Sequence, residues 1–453
     1  MNLKFLLYFI IFIFSFINIS NKIIIPFQIK RKFNPNFIAI LFKQLCLLKI
    51  NIGSQKQEMN LKIKLSNYYT SIAGINCINI KNKFNEENSK TYVNINNSII
   101  YDLETINECK ESQDNIIILN TKIDNKNISL ELNNFPFLLV SNLKEYFNDD
   151  EGILGLSFLS HNQKDLNYNF INNLKRLKII NDFSFYFNFI NSTYGELLLE
   201  DFTKTPKNYI TINIDLNNKI GYSFWNIGFK NIYFNGTTLN LNKINSDYLF
   251  AEIEIENGLI IAPNFFKEFL LDKFFNNNIC YTSIFHDTNY NKFGIPNEIN
   301  YYYFYCDKRV DIKQFPDLNF ELKYNRYNIT FTYKDLFKEY DNKFFFLIIF
   351  GSNNWHFGKI FLEKYRVVFN QDKKIISLSL EETKNKQNKT FNFSINYYLV
   401  IIFFLIVIII VIIIIFIKLY PRRKKAFELD DDYDYILNKE NYLEFSNNKS
   451  ILN

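Results

Sequence analysis

The residues of this chain best placed to do chemistry close two apolar runs. Leu61-Lys62-Ile63-Lys64-Leu65-Ser66 ends the first, and Ala251-Glu252-Ile253-Glu254-Ile255-Glu256-Asn257-Gly258 ends the second. Two carboxylates brought within hydrogen-bonding distance share one proton, one member taking a proton from water while the other gives one up. What stands there is a cation, Lys64, and an acid, Glu254. An ammonium cannot accept a proton from water, and it holds a facing acid in its ionised form. No aspartate precedes Asp102, and neither Asp-Thr-Gly nor Asp-Ser-Gly occurs anywhere. Other chemistries have less support. His161, His286 and His356 show no ligand spacing and do not cluster with cysteine, so no metal and no cofactor is expected. No nucleophile elbow and no phosphate loop is present.

The elements that must position these residues read as strands. From about Leu47 to Leu380 the chain is a series of short runs rich in β-branched and aromatic residues, separated by Asn-rich turns. Ile116-Leu119, Ser129-Leu132, Phe183-Phe187, Leu197-Leu199, Tyr209-Ile214 and Val367-Phe369 are examples. Asn264-Asp272 and Tyr333-Glu339 have helical spacing instead. At 453 residues the chain has room for two compact domains or one bilobal one. Its 50 Phe and 30 Tyr beside 12 Gly and 8 Pro follow the base composition of an AT-rich genome. The net charge of +6 is therefore poor evidence for a nucleic-acid partner, and no basic stripe stands out.

Both ends address a membrane. Residues 1–20 carry Lys4 and then an almost unbroken apolar run, which predicts a cleaved secretory signal, with an uncleaved anchor as the alternative. Residues 383–396 form a stalk, and Tyr397 to Ile417 is about 21 residues without a charge, enough to cross the hydrocarbon core. Arg422-Arg423-Lys424-Lys425 then keeps the 418–453 tail cytoplasmic. The prediction is a single-pass type I membrane protein of the secretory pathway, the cell surface or an endolysosomal compartment. In the acidic tail, Tyr433-Asp434-Tyr435-Ile436 and Tyr442-Leu443-Glu444-Phe445 fit the pattern read by sorting adaptors, although chance also produces it in so Tyr-rich a chain. Five cysteines suit the oxidising side.

A succession of landmarks resembles the pepsin-like eukaryotic aspartic peptidases in order and spacing. Ile52-Gly53-Ser54-Gln55-Lys56-Gln57 is similar to the Gly turn and Gln before the first catalytic strand. Phe84 to Tyr92 resembles the family's Phe-x-Pro-x-x-Ser-x-Thr-Tyr turn, and Asp150-Glu151-Gly152-Ile153-Leu154-Gly155-Leu156 its Phe-Asp-Gly-Ile-Leu-Gly-Leu. Phe315-Pro316-Asp317-Leu318-Asn319-Phe320 stands for Leu-Pro-Asp-Ile-x-Phe, and Trp355-His356-Phe357-Gly358-Lys359-Ile360-Phe361-Leu362 for Trp-Ile-Leu-Gly-Asp-x-Phe-Leu. In a chain so poor in glycine, Gly53, Gly152, Gly155, Gly195, Gly236 and Gly358 all fall on glycines of that pattern.

The resemblance implies an all-β, bilobal, pepsin-like double β-barrel ectodomain with one C-terminal transmembrane helix. The N-terminal lobe would span 47–205 and the C-terminal lobe 206–382, preceded at 21–46 by a propeptide-like or first-strand segment. It also implies that Lys64 and Glu254 occupy the two dyad positions. Glu256 would take the place of the required Gly, and Leu65 and Ile255 the places of the loop-locking hydroxyl residues. No catalytic residue is then expected. Lys64 and Glu254 are expected either to pair across the cleft floor or to turn to solvent. Ser66, Glu256 and Tyr101, near the flap position, are the cleft candidates. Cys280 and Cys306 match a bridge of the family; Cys77 and Cys109 are a second candidate pair, and Cys46 is left over. Sequons at Asn96, Asn127, Asn191, Asn235, Asn328, Asn388 and Asn392 permit glycosylation. The function implied is an inactive, membrane-anchored family homologue that binds a peptide or protein ligand. The alternative is an active membrane-bound aspartic endopeptidase with divergent loops.

Overall fold

The computed structural model describes residues 22–379 apart from 32–33, 78–79, 103–106, 125, 143–150, 159–167, 183, 200–208, 215–224, 240–248, 276–279 and 291–295. The predicted signal, stalk, membrane helix and tail lie outside the described residues. No helix among the described residues is long and apolar enough to cross a membrane.

Two-residue periodicity builds the framework. In the strand Ile23–Arg31 the side chains of Ile23, Ile25, Phe27 and Ile29 are buried while those between them face outward. This strand of the 21–46 segment lies in the sheet between Tyr194–Leu199 and Gln44–Ile52. A short helix, Phe37–Phe42, follows, its N-terminus capped by the Asn36 side chain.

One sheet runs from Tyr209–Asn213 through Ile375–Ser379, Val367–Asn370, Ser184–Phe189 and Tyr194–Leu199 to Ile23–Arg31, all antiparallel. It takes strands from both halves of the chain. Aromatic rings cement this joint. Phe185 and Phe369 stack at 5.1 Å, Trp225 packs edge-on to both, and its Nε1–H donates to the Leu156 carbonyl at 3.0 Å.

The feature that positions the site is repeated. In the first half, Gly152–Gly155 is inserted between Gln57–Lys64, to which it is parallel, and Ser71–Ala73, to which it is antiparallel. In the second half, Trp355–Phe357 is inserted the same way between Phe250–Ile253 and Ile260–Pro263. Each antiparallel partner in turn pairs in parallel with a long strand, Leu130–Asn142 or Lys343–Ser352. The register aligns Ile63 with Leu154 and Lys64 with Gly155; it also aligns Ile253 with Phe357, which puts Glu254 beside Gly358. Lys64 and Glu254 are thus equivalent positions of two like folds. At both glycines the following loop lies against the backbone. A Cβ on Gly155 would stand 2.5 Å from the Tyr69 carbonyl oxygen, and one on Gly358 would stand 2.2 Å from that of Asn257.

The helical expectations are met unevenly. Asn264–Leu270 is a helix and continues as a π-helical stretch over Leu271–Phe275. Tyr333–Leu336 is a single turn, because Phe337–Tyr340 leaves it to pair with Lys343–Ser352. Cys280 and Cys306 face each other in the long hairpin Cys280–Tyr290/Pro296–Asp307 and are disulfide-bonded. The second pairing is corrected. Cys77 and Cys109 sit in one buried cluster as thiols rather than a disulfide, with the Cys77 S–H turned to the Val140 carbonyl at 3.3 Å. Cys46 is a wholly buried thiol. The five sequon residues Asn96, Asn127, Asn191, Asn235 and Asn328 are all exposed.

Because the obstruction at Gly358 is backbone, Gly358→Ala is expected to cost about 1–3 kcal/mol of overpacking strain. The measurement is chemical unfolding of the protein; an unchanged midpoint would refute the close-packed loop.

Candidate functional site

Each inserted strand presents a loop, and the two loops carry the site. The first follows Gln57–Lys64, whose alternation leaves Met59, Leu61 and Ile63 in the core and turns Lys62 and Lys64 to the opposite face. The second follows Phe250–Ile253, where Ala251 and Ile253 are buried and Glu252 and Glu254 share the other face.

The cation and acid at the equivalent positions do not form the expected pair. Among the described residues, Lys64 Nζ lies 3.8 Å from Glu256 Oε1, and the neighbouring Lys62 Nζ lies closer, at 3.0 Å from the same oxygen. All three side chains are mostly buried, at 16–21% exposure. Burial by itself would raise the Glu256 carboxyl, but Lys62 and Lys64, with Lys43 beyond them, outweigh it and hold the group below the usual carboxylate range. The reason for the shift from Glu254 to Glu256 is local. Glu256 stands where the family pattern has a side-chain-free glycine, so its carboxylate reaches the lysines first.

Gln44 clamps the same loop. Its backbone N–H donates to the Glu256 carbonyl at 3.0 Å, and its side-chain amide donates to the Ile255 carbonyl at 2.9 Å. The Gly258 N–H donates to the Phe42 carbonyl at 2.8 Å. Hydrogen bonds from the 42–46 segment therefore hold a loop in which Ile255 has no hydroxyl to offer. Burial pushes the nearby Cys46 thiol up to about 12, so it is an inert packing group here.

Glu254 has other partners. One carboxylate oxygen accepts from the Asn257 side-chain amide, and the other lies 2.9 Å from His356 Nδ1. Glu252 approaches the same nitrogen at 3.9 Å. On the far side of the ring, His356 Nε2 is 3.0 Å from Ser352 Oγ. Burial alone would depress the His356 pKa; Glu254 and then Glu252 overcome that and raise it. For Glu252, burial raises the carboxyl, opposed by His356 and assisted by Glu254.

Sequence spacing did not reveal this group. Glu252, Glu254 and His356 each bring one ligand-type atom within 4.8 Å of the others. The spacing that matters runs between adjacent strands, with Glu252 in register with His356. One signal was available, since His356 stands where the family pattern has an apolar Ile. The other cleft candidates are placed separately. Ser66 is half-buried on the first loop. Tyr101 is on the strand Val93–Asp102 in register with Glu108, and its side chain lies outside what is described.

A twofold-repeated, mostly-β chain with one titratable loop per repeat is the layout of a pepsin-type peptidase domain. A family model described as eukaryotic aspartyl protease matches residues 47–381, and the chain belongs to that family. No curated protein matches the chain.

The two charge groups predict opposite pH behaviour. Glu256, lowered on folding, adds stability that is present at neutral pH and is lost as pH falls below about 4.3 towards its folded value. His356, raised on folding, adds stability that is complete below about 6.5 and is lost as pH rises through its folded value. Thermal unfolding of the protein against pH checks both. Glu256→Gln should cost about 1–3 kcal/mol at pH 7 by leaving two lysines short of a partner, with the difference shrinking at acid pH. His356→Gln should remove the alkaline decline.

Proposed function

We propose that this protein is a membrane-anchored member of the aspartyl protease family that lacks aspartic-type catalysis and uses its cleft to bind an extended peptide or a protein segment. One observation carries the reading. At the position equivalent to Glu254, the first repeat holds Lys64. The shared-proton mechanism needs a carboxylate from each repeat, one to deprotonate water and one to protonate the carbonyl. A lysine ammonium has no lone pair for the first task. Among the described residues, Glu254 is held by Asn257 and His356 and has no carboxyl partner from the first repeat with which to share a proton.

The sequence supports the setting. The apolar leader, the uncharged run from Tyr397 to Ile417 and the basic cluster after it fit type I insertion in the secretory pathway. Exposure of all five sequon residues that fall in the described part favours glycosylation of that domain. A bound chain reaching these two loops would meet both signs of charge, Lys62 and Lys64 at the end of one strand and Glu252 and Glu254 at the end of the other.

The test is purified ectodomain incubated with a denatured protein between pH 3 and 6 (about the range in which paired carboxyls share a proton). The samples are run with and without a transition-state peptide inhibitor of aspartic peptidases. No inhibitor-sensitive cleavage is expected, while a labelled peptide pool retains saturable binding. Cleavage abolished by the inhibitor would overturn the reading.

A further inference from the structure

The Glu254–His356 pair does not end at the imidazole. Ser352 closes the strand Lys343–Ser352, opposite Pro263, and its Oγ lies 3.0 Å from His356 Nε2. The Asn354 backbone N–H donates to that same Oγ at 3.1 Å. Glu254, as a carboxylate, can only accept, so His356 Nδ1 carries the proton between them at 2.9 Å. In the neutral ring Nε2 is then the basic nitrogen, and the Ser352 O–H can donate to it; in the protonated ring Nε2–H donates to Oγ instead, which has a second lone pair beside the one that accepts from Asn354. Asn257 holds the second oxygen of Glu254, fixing the carboxylate that orients the ring. A hydroxyl, an imidazole and a carboxylate in this order, with the base oriented by a third group, are the parts of an activated nucleophile.

The alternative of a purely structural histidine fits less well. Its ring is 17% exposed and Ser352 is half-exposed, so both are reachable. The equivalent inserted strand in the first repeat carries apolar Leu154 in line with Phe357 and Ile153 in line with His356, and that position is buried and apolar there. A polar histidine between two acids is not required by the packing of this motif.

We propose that Ser352, His356 and Glu254 form a serine-type triad in the cleft, with Ser352 able to be acylated by a peptide or ester carbonyl. The proposal rests on the cleft's acceptance of an extended peptide, as proposed above, and replaces the missing dyad with different chemistry. In the acylation step an Oγ–carbon bond forms as the hydroxyl proton passes to Nε2 and the carbonyl electron pair moves to oxygen. Collapse breaks the bond to the leaving amine or alkoxide, which takes the proton from Nε2 and leaves an ester on Ser352. Water repeats the sequence, returning the proton to Oγ and releasing the acid. Asn354 N–H donates to Oγ and so positions the hydroxyl beside the imidazole.

The charged and titratable groups facing the imidazole are Glu252 from the adjacent strand and Glu254 from the loop after it; Ile261, on the other neighbouring strand, is apolar. Both acids favour the imidazolium, which cannot act as the base. Reactivity therefore rises with pH as His356 loses its proton, the reverse of the acid optimum of paired carboxyls.

The test uses the intact protein and a fluorophosphonate probe, read by intact mass and peptide mapping. One adduct is expected, on Ser352, forming faster as pH is raised from about 6 to 9 across the histidine range. Ser352→Ala should abolish it, and His356→Gln should slow it by about 100-fold or more. Thermal unfolding of each variant checks folding; should Ser352→Ala not fold, Ser352→Cys takes its place, alkylated by iodoacetamide at a rate that depends on His356. No adduct, an adduct elsewhere, or Ser352 labelling indifferent to His356→Gln would overturn the triad. Peptide binding measured in parallel separates the two readings. Binding without labelling removes the triad alone, and labelling without binding keeps the nucleophile and removes the peptide cleft.

Discussion

The constraint on which the site depends is the meeting of Lys62 and Lys64 with Glu256. The two cations come from one repeat and the acid from the other, and all are mostly withdrawn from water. Isolated burial of any of them would be costly, so each requires the others where they stand. With the lysines drawn to Glu256, Glu254 is released to a different neighbour, the histidine of the inserted strand. The division of the acids into two groups, one compensating cations and one orienting an imidazole, follows from that single choice.

Around this centre the scaffold is conservative. Two repeats of an inserted strand, each flanked by one parallel and one antiparallel neighbour, place a loop from each half at the same structural position. The glycines Gly155 and Gly358 are kept because backbone lies against them, whatever the loops do chemically. The frame is held by such close backbone contacts and by the aromatic joint of Phe185, Trp225 and Phe369, independently of the loop chemistry. That separation allows the loops to change while the frame persists.

Much of the frame was legible in the chain. β-Branched and aromatic runs at two-residue alternation marked most strands because the pleat puts alternate residues in the core. Tyr333–Glu339 was misread in part. Its helical spacing holds for one turn, but Phe337 finds a pairing partner in Phe346, and a ladder formed with a distant strand overrides local preference. Cys77 and Cys109, the second candidate pair, lie in one cluster without the bond. The Cys77 thiol is directed at the Val140 carbonyl, and a bridge needs both side chains directed at each other.

By itself, the sequence determined that no aspartate could serve the first loop, that a lysine and a glutamate stand at the two marked places, and that the segments around them alternate as strands. Those properties are written in residue identity and short-range period. Which charge meets which was decided by the tertiary structure. Lys62 and Glu256 are far apart in the chain, as are Glu254, Ser352 and His356, and only strand register brings them within hydrogen-bonding reach. Electrostatic attraction and hydrogen bonds act over a few ångströms, so their outcome depends on the three-dimensional placement of side chains that no linear spacing encodes.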